Sequence, residues 1–160
     1  MKEQLLNILA KNARLTNEQI ASMLNTTPQQ VAADIEELEK AGVIMGYKAI
    51  IDWDKTERDV CIARIEVQVT PKSGMGFEEI AARICQFEEV ETVYLMSGGY
   101  DIALTITGKT FKDVALFVAH RLSPLESVRS TATHFVLRKY KERGCCLLDA
   151  EGDGREVTNL

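Results

Sequence analysis

The residues best suited to direct recognition of a ligand lie on one side of a predicted helix. The segment Thr26–Gly42 reads TTPQQVAADIEELEKAG. Thr27 is suited to cap this helix, and Gln30 completes a capping box with it. Gln29 and Ala33 face away from the apolar stripe of the helix, with Gln30 at its flank. Glutamine amides can make bidentate contacts with adenine, and an alanine methyl can touch the thymine methyl group. On its own this pattern fits any amphipathic helix, and only the segment before it makes the DNA-binding interpretation specific.

A second predicted helix lies immediately before this one. Thr16–Gln19 is a capping box, and it opens a helix with Ile20, Met23 and Leu24 on its inner face. This helix ends at Asn25, so the turn between the two helices is very short and they must cross steeply. Such a helix-turn-helix presents its second helix to DNA. The alternative is that this corner serves packing alone, as tight helical corners do in enzymes.

The overall charge of the chain argues against nucleic-acid binding. The 160 residues carry a net charge of −5, and the sequence pI is about 5.2, whereas nucleic-acid binders usually show a basic patch. Apolar residues make up 46% of the chain, and no apolar run reaches membrane-spanning length. Without a membrane span or signal peptide, we expect a cytoplasmic protein.

Neither a catalytic centre nor a metal site is predicted, and no cofactor is expected. His120 and His134 are too few and too far apart in sequence to suggest metal ligands. Cys61 and Cys85 fit small apolar core positions. The vicinal pair Cys145-Cys146 is predicted to be two free thiols, with redox activity or soft-metal binding as the alternative.

The second half of the chain has a different pattern. Residues 43–52 are rich in β-formers and are predicted to form a wing or a connecting strand, and the charged stretch after them reads as a linker. Alternating and helical patterns then give the order βαββαβ, with a last strand from about Val128 to Arg138. This order predicts an α+β, ferredoxin-like domain with one sheet face open. An open face of mixed polarity predicts a homodimer. The predicted divisions are 1–50 (winged helix-turn-helix), 51–59 (linker), 60–142 (ferredoxin-like domain) and 143–160 (tail).

These features together resemble the Lrp/AsnC family of bacterial and archaeal transcription regulators. The resemblance covers roughly Leu5 to Lys141. Its most specific part is Val31-x-x-x-Ile35-x-x-Leu38-Glu39-x-x-Gly42-Val43-Ile44-x-Gly46-Tyr47-x-Ala49, which resembles the family's recognition helix and connecting strand. Ser97-Gly98-Gly99-Tyr100-Asp101 and Thr131-x-Thr133 resemble two further family patterns.

The resemblance implies a regulator rather than an enzyme. Such proteins pair through their sheets, often form octamers, and bind a small effector, typically an amino acid. Two glycines let backbone amides approach a carboxylate, and an aspartate could pair with the effector's ammonium group. From the residues alone, a plain hairpin turn with an exposed aspartate is the favoured interpretation, and only the resemblance favours an effector site. The effector-binding residues that the resemblance implies are Gly98, Gly99, Tyr100, Asp101, Thr131 and Thr133.

The predicted recognition helix departs from the family at Asp34, where family members commonly carry arginine. An acidic helix loses much of the electrostatic attraction to phosphate, so weak binding per monomer, strengthened by oligomeric avidity, is expected. Two alternatives stay open: a modulator that no longer grips DNA, and an enzyme similar to siroheme decarboxylases. Lys2 and Lys11 are further phosphate partners beside the predicted DNA-contacting set, which is Thr27, Gln29, Gln30, Ala33, Lys40, Arg14 and Lys48.

Overall fold

Three helices form the first unit of the chain, Met1–Ala49. In the computed structural model, which describes residues 1–70 and 76–148, these helices are α1 (Lys2–Lys11), α2 (Asn17–Leu24) and α3 (Pro28–Lys40). Both halves of the predicted capping box open α2: Gln19 N–H donates to Thr16 Oγ1 at 3.3 Å, and Thr16 N–H donates to Gln19 Oε1 at 2.9 Å. The predicted helix-turn-helix is confirmed.

The core of this unit is built from one face of each helix. Leu5, Ile20, Val31 and Leu38 are all buried and in contact. The prediction that Met23 faces inward is wrong, because its side chain is 63% exposed. The neighbouring Ala21, which is small enough to allow close helix approach, is buried instead.

Residues 43–52 form no strand, so the predicted wing or connecting strand is absent from this described stretch. Gly42, two residues after the end of α3, adopts the left-handed conformation (φ +69°) in which many helices terminate. Val43 N–H then donates to the Leu38 carbonyl at 2.9 Å. Met45 beyond this turn is 89% exposed. A β-rich sequence forms a strand only where a neighbouring strand accepts its hydrogen bonds.

The second unit, which begins at Ile50, contains a four-stranded antiparallel sheet. After a short 3₁₀ turn (Trp53–Lys55), the elements are β1 (Cys61–Val69), α4 (Phe77–Ile84), β2 (Val90–Leu95), β3 (Ile102–Gly108), α5 (Phe111–Phe117) and β4 (Val128–Phe135). In the sheet the strands lie in the order β2-β3-β1-β4, which confirms the ferredoxin-like arrangement.

Strand register separates the two faces of this sheet. Ile65 stands opposite Leu104 on β3 and opposite Thr133 on β4; paired residues point to the same face. This face meets α4 and α5 through Ile84 and Val114, which are buried in the same core. The next residue along β1, Glu66, therefore points to the opposite, open face.

α5 continues as a π-helical turn (Val118–Leu122). Two details of this unit differ from the predictions. β4 ends at Phe135 rather than at Arg138. Cys85 is exposed because it lies at the C-terminal cap of α4 rather than inside it. The start of the predicted tail pairs as a small separate sheet, β5 (Lys141–Glu142) with β6 (Cys145–Cys146); the rest of the tail lies outside the described residues.

Membrane-spanning helices and metal-binding clusters are both absent from residues 1–70 and 76–148. No helix there is both long and apolar enough to cross a membrane. No group of three or more histidine, cysteine or acidic side chains is placed to hold a metal ion.

Candidate functional site

The first turn of α3 presents polar and small side chains to solvent. Thr27 caps the helix, since its Oγ1 accepts the Gln30 N–H at 3.2 Å. Gln29, Gln30 and Ala33 are all exposed, on the side away from the buried Val31. The helix therefore offers two amides and a methyl group from its N-terminal turns, which are the turns that reach base edges in helix-turn-helix proteins.

The side chain of Gln30 does not complete the capping box that the sequence predicts. Its Nε2 donates to Asp34 Oδ1 at 2.9 Å, one turn further along α3. Asp34 itself is only 5% exposed. Its position beside the apolar stripe, and not on the outer face, means that its carboxylate is turned away from the surface that would meet phosphates.

The three glutamates of α3 are each held by a neighbouring donor. Lys40 pairs with Glu36, and Lys2 of α1 pairs with Glu37. The Tyr47 hydroxyl donates to Glu39 at 2.9 Å. The hydrogen bond and charge of Lys40 hold the pKa of Glu36 below its usual value. Lysine charges thus offset two of the four carboxylates of α3, whereas the Tyr47 hydroxyl leaves the charge of Glu39 in place.

These ion pairs also engage two of the lysines that were expected to contact phosphate. Lys40, from the predicted set, and Lys2 are both engaged with glutamates. Within the described part of the chain, Arg14, Lys48 and Lys11 enter no ion pair. These three exposed side chains are the cations of the first unit that remain available to DNA without breaking a contact.

The glycine turn between β2 and β3 is fixed to its neighbours by side chains. The Gly99 carbonyl accepts Gln68 Nε2 at 2.9 Å, and Gln68 Oε1 accepts Ser130 Oγ at 2.9 Å. A chain of hydrogen bonds therefore runs from the turn through β1 to β4. Gly98 has φ +146°, a conformation that favours glycine.

Asp101 is tied to the same end of β1. Its Oδ2 accepts the Val69 N–H at 2.8 Å, and its own N–H donates to the Val67 carbonyl at 3.0 Å. Among the described residues, Oδ1 of Asp101 and the N–H groups of Gly98 and Gly99 have no hydrogen-bond partner. The turn thus offers two backbone donors and one carboxylate oxygen, which suit the carboxylate and ammonium groups of an amino acid.

The six predicted effector residues do not form a single cluster. Gly98, Gly99 and Asp101 lie together at the turn, whereas Tyr100 lines a groove on the open sheet face. Thr131 and Thr133 stand opposite Val67 and Ile65 and therefore lie on the face that carries the helices.

The open-face groove has a volume of about 250 Å³ and charged walls. Arg64 and Glu66 are on β1, and His134 on β4 lies with its Nε2 3.5 Å from Glu66 Oε1. Tyr94 and Tyr100 close one side. Arg64 and Glu66 alternate with apolar residues along β1, which indicates a polar strand face but no function.

Gln68 and Ser130 were also missed. Their signal in the sequence was only that Gln68 belongs to the polar face of an alternating strand. No pattern along the chain indicates that Ser130, 62 residues further on, would stand beside it.

Two family models match the chain, and together they span both units. The model for a winged helix-turn-helix DNA-binding domain matches residues 2–45, and the model for the Lrp/AsnC ligand binding domain matches residues 62–145.

The chain also has whole-length relatives. It is 46% identical over 157 residues to the uncharacterized HTH-type transcriptional regulator YugG of Bacillus subtilis, covering 98% of this chain and 95% of the relative. It is 26% identical over 133 residues to the regulatory protein AsnC of Haemophilus influenzae, covering 83% and 87%.

Solved structures share the fold. That of PH0061 is 27% identical, with a TM-score of 0.76 and coverage of 88% of this chain and 93% of the other. The transcriptional regulator NMB0573 of Neisseria meningitidis, solved as a complex with L-methionine, has a TM-score of 0.70 at 23% identity, with coverage of 88% and 90%.

Proposed function

Because the chain belongs to the Lrp/AsnC family of transcriptional regulators, we propose that it binds specific double-stranded DNA as a homo-oligomer and that an amino acid controls this binding. The observation that carries the proposal is the first turn of α3, where capped, exposed Gln29 and Gln30 project from a helix-turn-helix.

The charge distribution supports DNA binding by this acidic chain. The glutamates of α3 already have partners, and Asp34 is buried. Lys40 and Lys2 offset two of the four negative charges of α3, and the exposed Arg14 and Lys48 of the same unit stay available to phosphate. Few phosphate contacts imply modest affinity per monomer and a shallow dependence on salt. Two recognition helices in one oligomer raise the effective affinity through avidity.

The Gly98–Asp101 turn supports the choice of an amino-acid effector. Free N–H groups of Gly98 and Gly99 suit a carboxylate, and the free oxygen of Asp101 suits an ammonium group. Gln68 fixes the turn before any ligand arrives, so little ordering is required on binding. The complex of NMB0573 with L-methionine gives one amino acid with which to begin.

The open sheet face supports a dimer, as the first step toward an octamer. Arg64 and Glu66 stand two residues apart on β1, both on this face. A two-fold axis between two copies would set Arg64 of one against Glu66 of the other, so the surface is complementary to itself.

The test is fluorescence anisotropy of the full chain with DNA from upstream of its own gene and with scrambled DNA, over a salt series. The proposal predicts tighter binding to the upstream DNA and a shallow salt slope, and it predicts that an amino acid shifts the affinity. Calorimetry with a panel of amino acids, beginning with L-methionine, identifies the effector.

The acidity of α3 favours one second candidate, a modulator that binds the effector or a protein partner but not DNA. It predicts normal effector binding with no DNA affinity even at low salt. Equal binding to both DNAs would leave an unspecific DNA-binding protein and would contradict the proposed control of this site.

A further inference from the structure

A buried carboxylate and an exposed amide are joined on α3. Gln30 Nε2 donates to Asp34 Oδ1 at 2.9 Å, and Asp34 is 5% exposed while Gln30 is exposed. Within the described residues, this is the one hydrogen bond of the Asp34 side chain. Asp34 occupies a place on the inner side of the helix, with Val31 and Leu38, where an apolar residue would serve packing better.

The chemistry of the pair fixes which way the amide of Gln30 points. An ionised carboxylate only accepts hydrogen bonds, and an amide has one accepting oxygen and one donating NH₂ group. The NH₂ end must therefore face Asp34, since the reverse orientation would set Gln30 Oε1 against a negative oxygen. Oε1 and the second N–H of Nε2 remain free.

Those two free groups are the ones that recognise adenine. A bidentate contact needs a donor for adenine N7 and an acceptor for the adenine N6 amino group. An unrestrained glutamine can rotate its amide and must lose that freedom on binding. Gln29, the neighbouring exposed amide, has no side-chain partner among the described residues.

We propose that Asp34 is a positioning residue for base recognition, which holds the Gln30 amide in the orientation that selects adenine. Asp34 touches no DNA itself. This inference rests on the proposed DNA-binding function and adds the element of specificity.

The experiment begins with the wild-type full chain and a randomised duplex pool, from which the preferred site is selected. Anisotropy on duplexes with single base-pair changes then gives the discrimination at each position. Gln30→Ala should reduce discrimination at one A·T pair about tenfold, and so identify the pair that Gln30 reads.

Asp34→Ala should reduce discrimination at that same pair by a similar factor, and the double variant should lose no more than either single variant. Asp34→Asn keeps the shape and one acceptor but allows the reversed orientation, so it should fall between wild type and Asp34→Ala. Since Asp34→Asn is isosteric, it gives an answer if Asp34→Ala does not fold.

Two controls separate orientation from charge and from general damage. Glu36→Gln removes one negative charge from the same helix and should change affinity for all sequences equally. The pair read by Gln29, identified with Gln29→Ala, should keep its discrimination in the Asp34 variants.

The inference is overturned if the Asp34 variants retain wild-type discrimination at the pair read by Gln30, or if Gln30→Ala changes no position. A wild-type chain that selects no site overturns the proposed function itself, and that result appears before any variant is made.

Discussion

At the scale of single residues, Asp101 combines two tasks. One carboxylate oxygen accepts the Val69 N–H and so holds the turn to β1, while the other has no donor among the described residues. A carboxylate in this position stabilises the turn through a charge-assisted hydrogen bond. The proposed effector would use the remaining oxygen.

Replacing Asp101 by Asn and by Ala should separate these tasks. Asn keeps an oxygen for Val69 N–H, so thermal stability should change little, but the loss of charge should weaken amino-acid binding at least about tenfold. Ala removes the acceptor as well and should also destabilise the second unit by about 2 kcal/mol. Calorimetric titration and chemical denaturation measure the two effects.

Full effector affinity in Asp101→Asn would contradict the role of this carboxylate in ligand binding. Gln68→Leu provides a comparison, because it removes the support of the Gly99 carbonyl without touching the proposed ligand groups.

Side-chain contacts were predictable where the hydrogen bond is local and no other acceptor competes for the donor. The Thr16–Gln19 capping box follows from sequence spacing alone, because both partners lie in the same turn. The same spacing at Thr27 and Gln30 misled, since Asp34 one turn later offers a charged acceptor for the glutamine side chain. A charged acceptor forms the stronger bond.

At the scale of elements, α3 is a helix whose exposed glutamates are paired with side chains of the same unit. Glu36 and Glu37 hold Lys40 and Lys2, so removal of either glutamate releases a lysine as well as a negative charge. These pairs are exposed and contribute little to folding stability. Their effect should therefore appear in DNA binding.

Glu36→Gln should strengthen DNA binding uniformly across sequences. It should also make the slope of log affinity against log salt concentration steeper by about 0.9, as expected for one additional phosphate contact. Glu37→Gln should act in the same way through Lys2. Anisotropy over a salt series measures both. Glu3→Gln on α1 is the matched control, because it removes the same charge and no ion pair of Glu3 is found among the described residues.

A slope unchanged in Glu36→Gln and Glu37→Gln would show that the released lysines do not reach phosphate.

Elements with a strong periodicity of apolar residues were predictable, whereas elements that need a partner distant in sequence were not. The two helices of the helix-turn-helix, α2 and α3, follow from the spacing of their apolar residues. The strand predicted within residues 43–52 did not form, because no strand of the described chain pairs with it. β-forming residues favour an extended strand, but the strand also needs a neighbouring strand to pair with.

At the scale of the whole molecule, the sheet has one face covered by helices and one open face with charges and tyrosines. Tyr94 is 56% exposed there, beside Arg64, Glu66 and His134. The alternation in β1 predicted the two faces. It could not predict the groove, which needs the register of three strands.

The proposed two-fold pairing gives a charge-reversal test of this face. Arg64→Glu places like charges opposite one another across the axis, and Glu66→Arg does the same with the opposite sign, so each should shift the full chain toward monomer in analytical ultracentrifugation. The double variant Arg64→Glu, Glu66→Arg restores opposite charges across the axis and should recover the dimer. Lys109→Glu reverses the charge of an exposed residue just past the end of β3 and controls for charge alone.

If the single reversals leave the dimer intact, the copies do not associate through Arg64 and Glu66. If the double variant stays monomeric while its fold is intact, the two residues are not opposite each other, and the register of the pairing must be different.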